Sequence, residues 1–209
     1  MAAPLSPIYP ITDVELSGIS SYLELVAELL RGGATWVQLR EKRKPEGAIL
    51  EQIEHAASYA LDRGATLLVN DWVDVAQTTQ AAGVHLGQAD VPVETARSLL
   101  PDKIIGCSTH SLEQASAADR LRVDYIAIGP VFSTRTKTGN DPVGIAGVRQ
   151  VRRAISKPLV AIGGITLANA AEVWDAGADS VAVIADIMTH RDIAGRVAAY
   201  LDFWRQLHS

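Results

Sequence analysis

A single cysteine, Cys107, in 209 residues excludes an intramolecular disulfide framework and any cysteine-based zinc cluster. The five histidines show no HExxH pattern or i,i+4 pairing, so a histidine zinc site is not indicated either. Long hydrophobic runs are also missing. The longest, such as Val181-Ala182-Val183-Ile184-Ala185, fall far short of the roughly 20 residues a membrane-spanning helix needs. The first residues carry neither a charged n-region nor an apolar h-region, so no signal peptide is expected. An excess of basic charge is absent: 19 Lys and Arg stand against 24 Asp and Glu. Nothing therefore draws the chain as a whole to nucleic acid or to an anionic membrane. No low-complexity tract or charge block divides the sequence. What is present is a globular composition, 48% hydrophobic and 21% charged, with ample material for a core. A cytoplasmic protein with one domain over residues 1–209 is the expectation, with homo-oligomer formation left open.

Short β-rich runs recur at Ile8–Ile11, Trp36–Arg40, Thr66–Asn70, Gly83–Leu86, Ile104–Ser108, Tyr125–Ile128, Leu159–Ile162 and Ser180–Val183. Between them lie stretches of helical periodicity. Glu46–Arg63, for example, places Ile49, Leu50, Ile53, Ala56, Ala57, Ala60 and Leu61 on one face. The other helices are expected at Ser20–Arg31, Val73–Ala81, Val93–Leu100, Ser111–Leu121, Ile145–Ala154, Leu167–Ala176 and Asp192–His208. Strands alternating with helices imply parallel pairing through right-handed crossovers. Eight units of about 26 residues suit a compact α/β protein, a single-domain (β/α)₈ TIM barrel. An open doubly wound sheet is the competing topology.

In such a barrel the chemistry sits at the C-terminal ends of the strands. The unusual polar residues collect there. The second strand ends Gln38-Leu39-Arg40-Glu41-Lys42 and the third Asn70-Asp71. The fourth runs into Gly87-Gln88-Ala89-Asp90, the fifth into Ser108-Thr109-His110, the sixth into Ser133-Thr134-Arg135-Thr136-Lys137, and the seventh into Gly163-Gly164. Arg40, Lys42 and Lys137 are cations on this rim, and Asp71 and Asp90 are carboxylates. Paired carboxylates without cysteine or clustered histidine suit a hard cation, Mg²⁺, which completes its octahedron with water and substrate phosphate. The plainer reading makes Asp71 and Asp90 helix N-caps. Gly163-Gly164 and Ile184-Ala185-Asp186 suggest a second anion site built from backbone amides, with the Thr134 and Thr136 hydroxyls beside it. The residues alone thus point to two phosphate compounds in one barrel mouth.

Other candidates are weaker. Cys107 neighbours Ser108, yet no activating base is identifiable, and a small buried residue is the expectation. His85 and His110 lie near the rim, as ligand contacts or as structural residues. The run Arg40-Glu41-Lys42-Arg43-Lys44 is too short, and too poor in aromatics, for a nucleic-acid patch. Trp36, Trp72, Trp174 and Trp204 read as packing residues.

Taken together, the motifs resemble the thiamine-phosphate synthase family. They are Tyr9-Pro10-Ile11-Thr12-Asp13, Val37-Gln38-Leu39-Arg40-Glu41-Lys42, Val69-Asn70-Asp71, Gly83 to Asp90, Ile105 to His110, Gly129-Pro130-Val131-Phe132 with Thr134 to Lys137, Pro142-Val143-Gly144, and Val160 to Ile165. The likeness runs from about residue 8 to 187 in the family's order. It implies a Mg²⁺-dependent transferase that joins hydroxymethylpyrimidine diphosphate to hydroxyethylthiazole phosphate, releasing diphosphate. By the same resemblance, Gln38, Leu39, Arg40, Glu41, Lys42, Asn70, Ser108 and Lys137 would hold the pyrimidine diphosphate, with Arg40, Lys42, Lys137 and Ser108 acting in catalysis. Thr134, Arg135, Thr136, Gly164, Ile184 and Ala185 would hold the thiazole phosphate, and Asp71 and Asp90 the Mg²⁺. One departure stands out: where the family usually places serine after the eighth strand, this chain has Ala185 followed by Asp186. A thiazole tautomerase and a non-catalytic phosphate-ligand sensor of the same fold are the rival functions.

Overall fold

The computed structural model describes residues 5–134 and 141–209. Its β-branched and aliphatic runs form eight strands: β1 (Ile8–Pro10), β2 (Trp36–Leu39), β3 (Thr66–Asn70), β4 (Gly83–Leu86), β5 (Ile104–Thr109), β6 (Tyr125–Ile128), β7 (Leu159–Ile162) and β8 (Ser180–Val183). Seven parallel ladders join them in the order β1-β8-β7-β6-β5-β4-β3-β2. The two ends meet where Ile11 bridges Gln38 and the Thr12 amide donates to the Gln38 carbonyl at 2.9 Å. This closure makes the sheet a barrel and removes both of its free edges. The open doubly wound sheet is thereby excluded.

The helices are α1 (Val14–Ser17), α2 (Tyr22–Arg31), α3 (Ala48–Leu61), α4 (Val73–Thr78), α5 (Val93–Leu99), α6 (Leu112–Ala118), α7 (Gly144–Ala154), α8 (Ala170–Asp175), α9 (Ala185–Met188) and α10 (Ile193–Leu207). Their apolar stripes face the sheet: α2 buries Tyr22, Leu25, Val26 and Leu29, and α3 buries Ile53, Ala56, Ala57 and Ala60. Short polar side chains start several of them, Ser21 accepting from the Glu24 amide and Asp192 from that of Gly195. The single-turn helices α1 and α9 are additions to the expected pattern. Both sit on the rim, α1 after β1 and α9 after β8. Among the described residues no helix is long and apolar enough to cross a membrane.

Inward-facing side chains divide the barrel interior. Tyr9, Trp36 and Tyr125 pack edge-on at centroid distances of 5.8 to 6.0 Å. This arrangement suits the ring quadrupoles and plugs one end of the barrel. At the other end the strand tips leave a cavity open.

Candidate active site

A cavity of about 690 Å³ opens at the C-terminal ends of the strands, within the range that holds small-molecule ligands. Its wall has two characters. On β2 to β5 it is polar, formed by Gln38, Arg40, Asn70, His85 and Ser108. On β6 to β8 it is largely apolar, with Ala127, Val160, Ile162 and Ala182 below and Gly164, Thr166, Ile184 and Ala185 above. Strand alternation explains this selection, since side chains two apart share the inner face.

The polar wall is a connected network. Gln38 Nε2 donates to the Tyr9 hydroxyl at 3.3 Å, which contacts the Tyr125 hydroxyl at 3.1 Å. Tyr125 meets His85 Nδ1 at 2.7 Å, and His85 Nε2 meets Ser108 Oγ at 2.7 Å. Burial pushes the pKa of Tyr9 up to about 12, against the bonds from Tyr125 and Gln38, and lifts that of Tyr125 well above the ordinary phenol value. Both phenols are therefore neutral hydrogen-bonding groups. At the rim Arg40 donates through Nη1 to Asp13 Oδ2 at 3.0 Å, and its backbone amide donates to Thr12 Oγ1. Asp13 also caps α1, accepting the Leu16 amide through its other oxygen.

Asp71 and Asp90 follow β3 and β4, neighbours in the barrel. Neither caps a helix. The residues preceding α4 and α5 are Trp72 and Pro92, so the capping alternative is corrected. Asp71 adopts a left-handed backbone, φ 67°, unusual for a residue with a side chain. Strain of this kind persists where the surroundings impose it, as they do around ligand sites. Its amide donates to the His85 carbonyl at 2.8 Å, and Asp90 Oδ2 accepts the Gly87 amide at 2.6 Å.

The opposite rim is a backbone cup. Gly164 sits at φ 66°, and a Cβ there would lie 2.7 Å from the Ser133 carbonyl oxygen, so the close approach of the two loops requires glycine. Asn169 locks this loop, donating to the Gly164 carbonyl and accepting from the Thr166 amide. Asp186 reaches the cavity wall from α9, but both of its oxygens are engaged. Arg196 binds it through two bonds of 3.0 and 2.9 Å, and Tyr200 donates to it at 2.6 Å. Burial opposes its charge, yet the bonds from Arg196 and Tyr200 outweigh that and hold the carboxyl below its usual range.

The cavity thus collects Gln38, Arg40, Asn70, Ser108, Thr134, Gly164, Ile184 and Ala185 from the expected site. Leu39 does not line it. It is buried on the outer face of β2, as alternation with Gln38 demands. The Glu41 side chain also turns away, accepting from Tyr22 at 2.6 Å and from the Arg43 amide at 2.8 Å. Lys42 lies on the exposed rim, paired with Glu15 at 3.1 Å. Asp71 and Asp90 stand beside the cavity rather than in its wall. Arg135, Thr136 and Lys137 lie outside the described residues. Sequence reasoning left out Tyr9, Asp13 and Tyr125; the first two sat inside the quoted Tyr9-to-Asp13 motif without a role. Cys107 is buried and its thiol is pushed up by burial, so it stays protonated and inert.

A closed barrel whose cavity opens at the C-terminal ends of the strands, with a polar wall facing a glycine-lined one, has the architecture of (β/α)₈ enzymes. A profile of the thiamine monophosphate synthase family matches residues 8–187. The thiamine-phosphate synthase of Shouchella clausii is 42% identical over 196 residues, covering 93% of this chain and 94% of that one. That of Pelotomaculum thermopropionicum is 44% identical over 194 residues, with 92% and 89% covered. A solved thiamine phosphate pyrophosphorylase from Pyrococcus furiosus superposes with a TM-score of 0.89 at 35% identity, covering 97% of this chain and 96% of its own. The chain belongs to the thiamine monophosphate synthase family, and is accordingly a transferase of thiamine biosynthesis.

Proposed function

We propose that this cavity joins hydroxymethylpyrimidine diphosphate to hydroxyethylthiazole phosphate, giving thiamine phosphate and diphosphate. The carrying observation is the two-sided wall. Hydrogen-bonding side chains on β2 to β5 face a glycine-and-amide cup on β6 to β8, across one cavity of about 690 Å³. On this reading Gln38, Arg40, Asn70 and Ser108 hold the pyrimidine diphosphate. Gly164, Thr134 and the Ile184–Ala185 backbone hold the thiazole phosphate. Lys42 approaches the pyrimidine diphosphate from the exposed rim, and Lys137, outside the described residues, is assigned to the same ligand by its motif alone. The partners are small molecules rather than nucleic acid or membrane, and the setting is the cytoplasm.

The chemistry needs little from the protein beyond charge and position. The bond between the pyrimidine methylene and the diphosphate oxygen breaks, and the electron pair leaves with diphosphate. The ring's amino group spreads the positive charge that develops. The thiazole nitrogen then donates its lone pair to the methylene, forming the new C–N bond, and no proton is lost. A general base or covalent nucleophile is therefore not required. Arg40, held by Asp13, stabilises the departing charge, and the apolar half of the wall sets the thiazole ring in line.

Asp71 and Asp90 fit Mg²⁺. They offer all-oxygen donors in the loops that follow two adjacent strands, and the described residues hold no larger cluster of metal-ligating side chains. Mg²⁺ asks for no more, because water and diphosphate oxygens complete its shell. When bound there, it neutralises charge on the diphosphate.

Diphosphate release with both substrates, in Mg²⁺ and in EDTA, tests the proposal. Release that requires both substrates and metal is expected. Binding of both ligands without release would identify a sensor instead, and turnover of the thiazole alone would identify a tautomerase.

A further inference from the structure

His85 and Ser108, 2.7 Å apart, have the geometry of a base and its nucleophile. The rest of the network reverses that reading. Gln38 Nε2 donates to Tyr9, and each phenol carries one proton to give. If Tyr125 also donated to Tyr9, the proton of Tyr9, a residue only 1% exposed, would have no acceptor among the described side chains and would be left to the cavity alone. So Tyr9 donates to Tyr125, and Tyr125 donates to His85 Nδ1. His85 must then carry its proton on Nε2 and donate to Ser108 Oγ. The Ser108 hydroxyl proton is left to point into the cavity that Ser108 lines.

We propose that Tyr9 and Tyr125 are positioning residues that fix the Nε2–H tautomer of His85, and so make Ser108 a hydrogen-bond donor to the bound ligand rather than a nucleophile. The chain runs one way, from Gln38 on β2 across the barrel to Ser108 on β5. Its direction is set by the Gln38 amide and by the lack, among the described side chains, of any other acceptor for the phenol protons. Two features of the fold support it. Gly106 is the direct register partner of Tyr125, and a Cβ at Gly106 would collide with the phenol ring and its hydroxyl. The Tyr125 hydroxyl reaches the middle of the barrel only because β5 has no side chain there. The His85 ring also stacks on the Tyr125 ring, with centroids 5.5 Å apart and planes 24° from parallel, which holds Nδ1 toward the phenol. A donor at Ser108 suits the acceptor atoms of an aminopyrimidine ring nitrogen or a diphosphate oxygen. This last step rests on the placement of the pyrimidine diphosphate in the polar half of the cavity.

The tautomer can be read without the reaction. ¹⁵N-histidine labelling of the whole chain should show a protonated, pyrrole-type Nε2 and a bare, pyridine-type Nδ1 at His85. In Tyr125→Phe, which keeps the ring and its packing, the two tautomers should mix. A wild-type Nδ1–H tautomer would overturn the proposal, since the chain would then run toward Gln38 and His85 would draw the proton of Ser108. An unmixed Nε2–H signal in Tyr125→Phe would overturn the part given to the tyrosines. In turnover, Tyr125→Phe should lower kcat/KM for the pyrimidine diphosphate roughly tenfold, the size of one hydrogen bond. In a Ser108→Ala background the same change should add nothing, because its effect passes through Ser108. Additive losses would mean ordinary structural damage and would likewise overturn it. Absence of diphosphate release from the wild type would refute the proposed function instead, and the tautomer signal would still decide this proposal.

Discussion

Arg40 and Asp13 form an ion pair at 3.0 Å with side chains only 10% and 5% exposed, at the edge of the cavity. The two residues are 27 apart in the chain and meet only because β1 and β2 close the barrel. Asp13 aims the guanidinium and leaves most of its five donors for an anion. Asp13→Asn keeps the cap on α1, because asparagine caps as well as aspartate, but removes the charge that pins Arg40. Its kcat/KM for the pyrimidine diphosphate should fall toward the roughly 100-fold that an ångström of misplacement costs. KM for the thiazole phosphate should hold. Equal losses for both substrates would show that Asp13 supports the barrel rather than Arg40.

Asp90→Asn tests the metal assignment without dismantling the loop, because the carboxamide oxygen can still accept the Gly87 amide. The Mg²⁺ concentration for half-maximal rate should rise by about tenfold or more, as expected for a weakened metal shell. Superimposable Mg²⁺ titrations of the variant and the wild type would remove Asp90 from the metal site.

Gly106→Ala should be far more damaging than a methyl group suggests. The added Cβ meets the Tyr125 phenol, which is wedged between the Tyr9 and Trp36 rings. Overpacking of this sort costs about 1 to 3 kcal/mol. Thermal unfolding should show that loss, and Gly106→Ala combined with Tyr125→Ala should recover part of it. Failure of the double variant to recover would mean that the strain lies elsewhere.

Strands were legible because β-branched runs bounded by glycine and polar residues leave little choice, and all eight lie within a residue or two of expectation. The single-turn helices α1 and α9 were not, because four residues are too few to show a 3.6 period. The charged rim was legible from its place at the strand tips. Orientation was less so. Leu39 and Glu41 flank cavity residues in sequence but point away in space, and Glu41 finds a partner in Tyr22 that no local pattern announces. Tyr9 and Tyr125, 116 residues apart, are indistinguishable from core aromatics until the barrel brings their hydroxyls together.

Asp186 follows Ala185 beside the expected phosphate cup, and taken alone its charge would repel a phosphate. Arg196 and Tyr200 neutralise it, and its Oδ2 also accepts the Leu167 amide at 3.3 Å. The carboxylate therefore ties the loop after β7 and helix α9 to α10, and so holds both sides of the cup. Asp186→Asn should raise KM for the thiazole phosphate while leaving that for the pyrimidine diphosphate unchanged. It should also cost about 1 to 3 kcal/mol, because hydrogen bonds to a charged group are lost in a partly buried place. The pH dependence has a definite direction. The folded carboxyl titrates below its usual range, with burial opposing the charge and the bonds from Arg196 and Tyr200 outweighing it. Its contribution is therefore complete above the unfolded value of about 3.9 and is lost as pH falls through the lower folded value. Urea unfolding should show the wild type losing its advantage over Asp186→Asn only below about pH 4. If the gap between the two proteins were the same at pH 3 and pH 7, the ion pair with Arg196 would not be the source of the stability. The thiazole KM would then be the sole remaining measure of what Asp186 does.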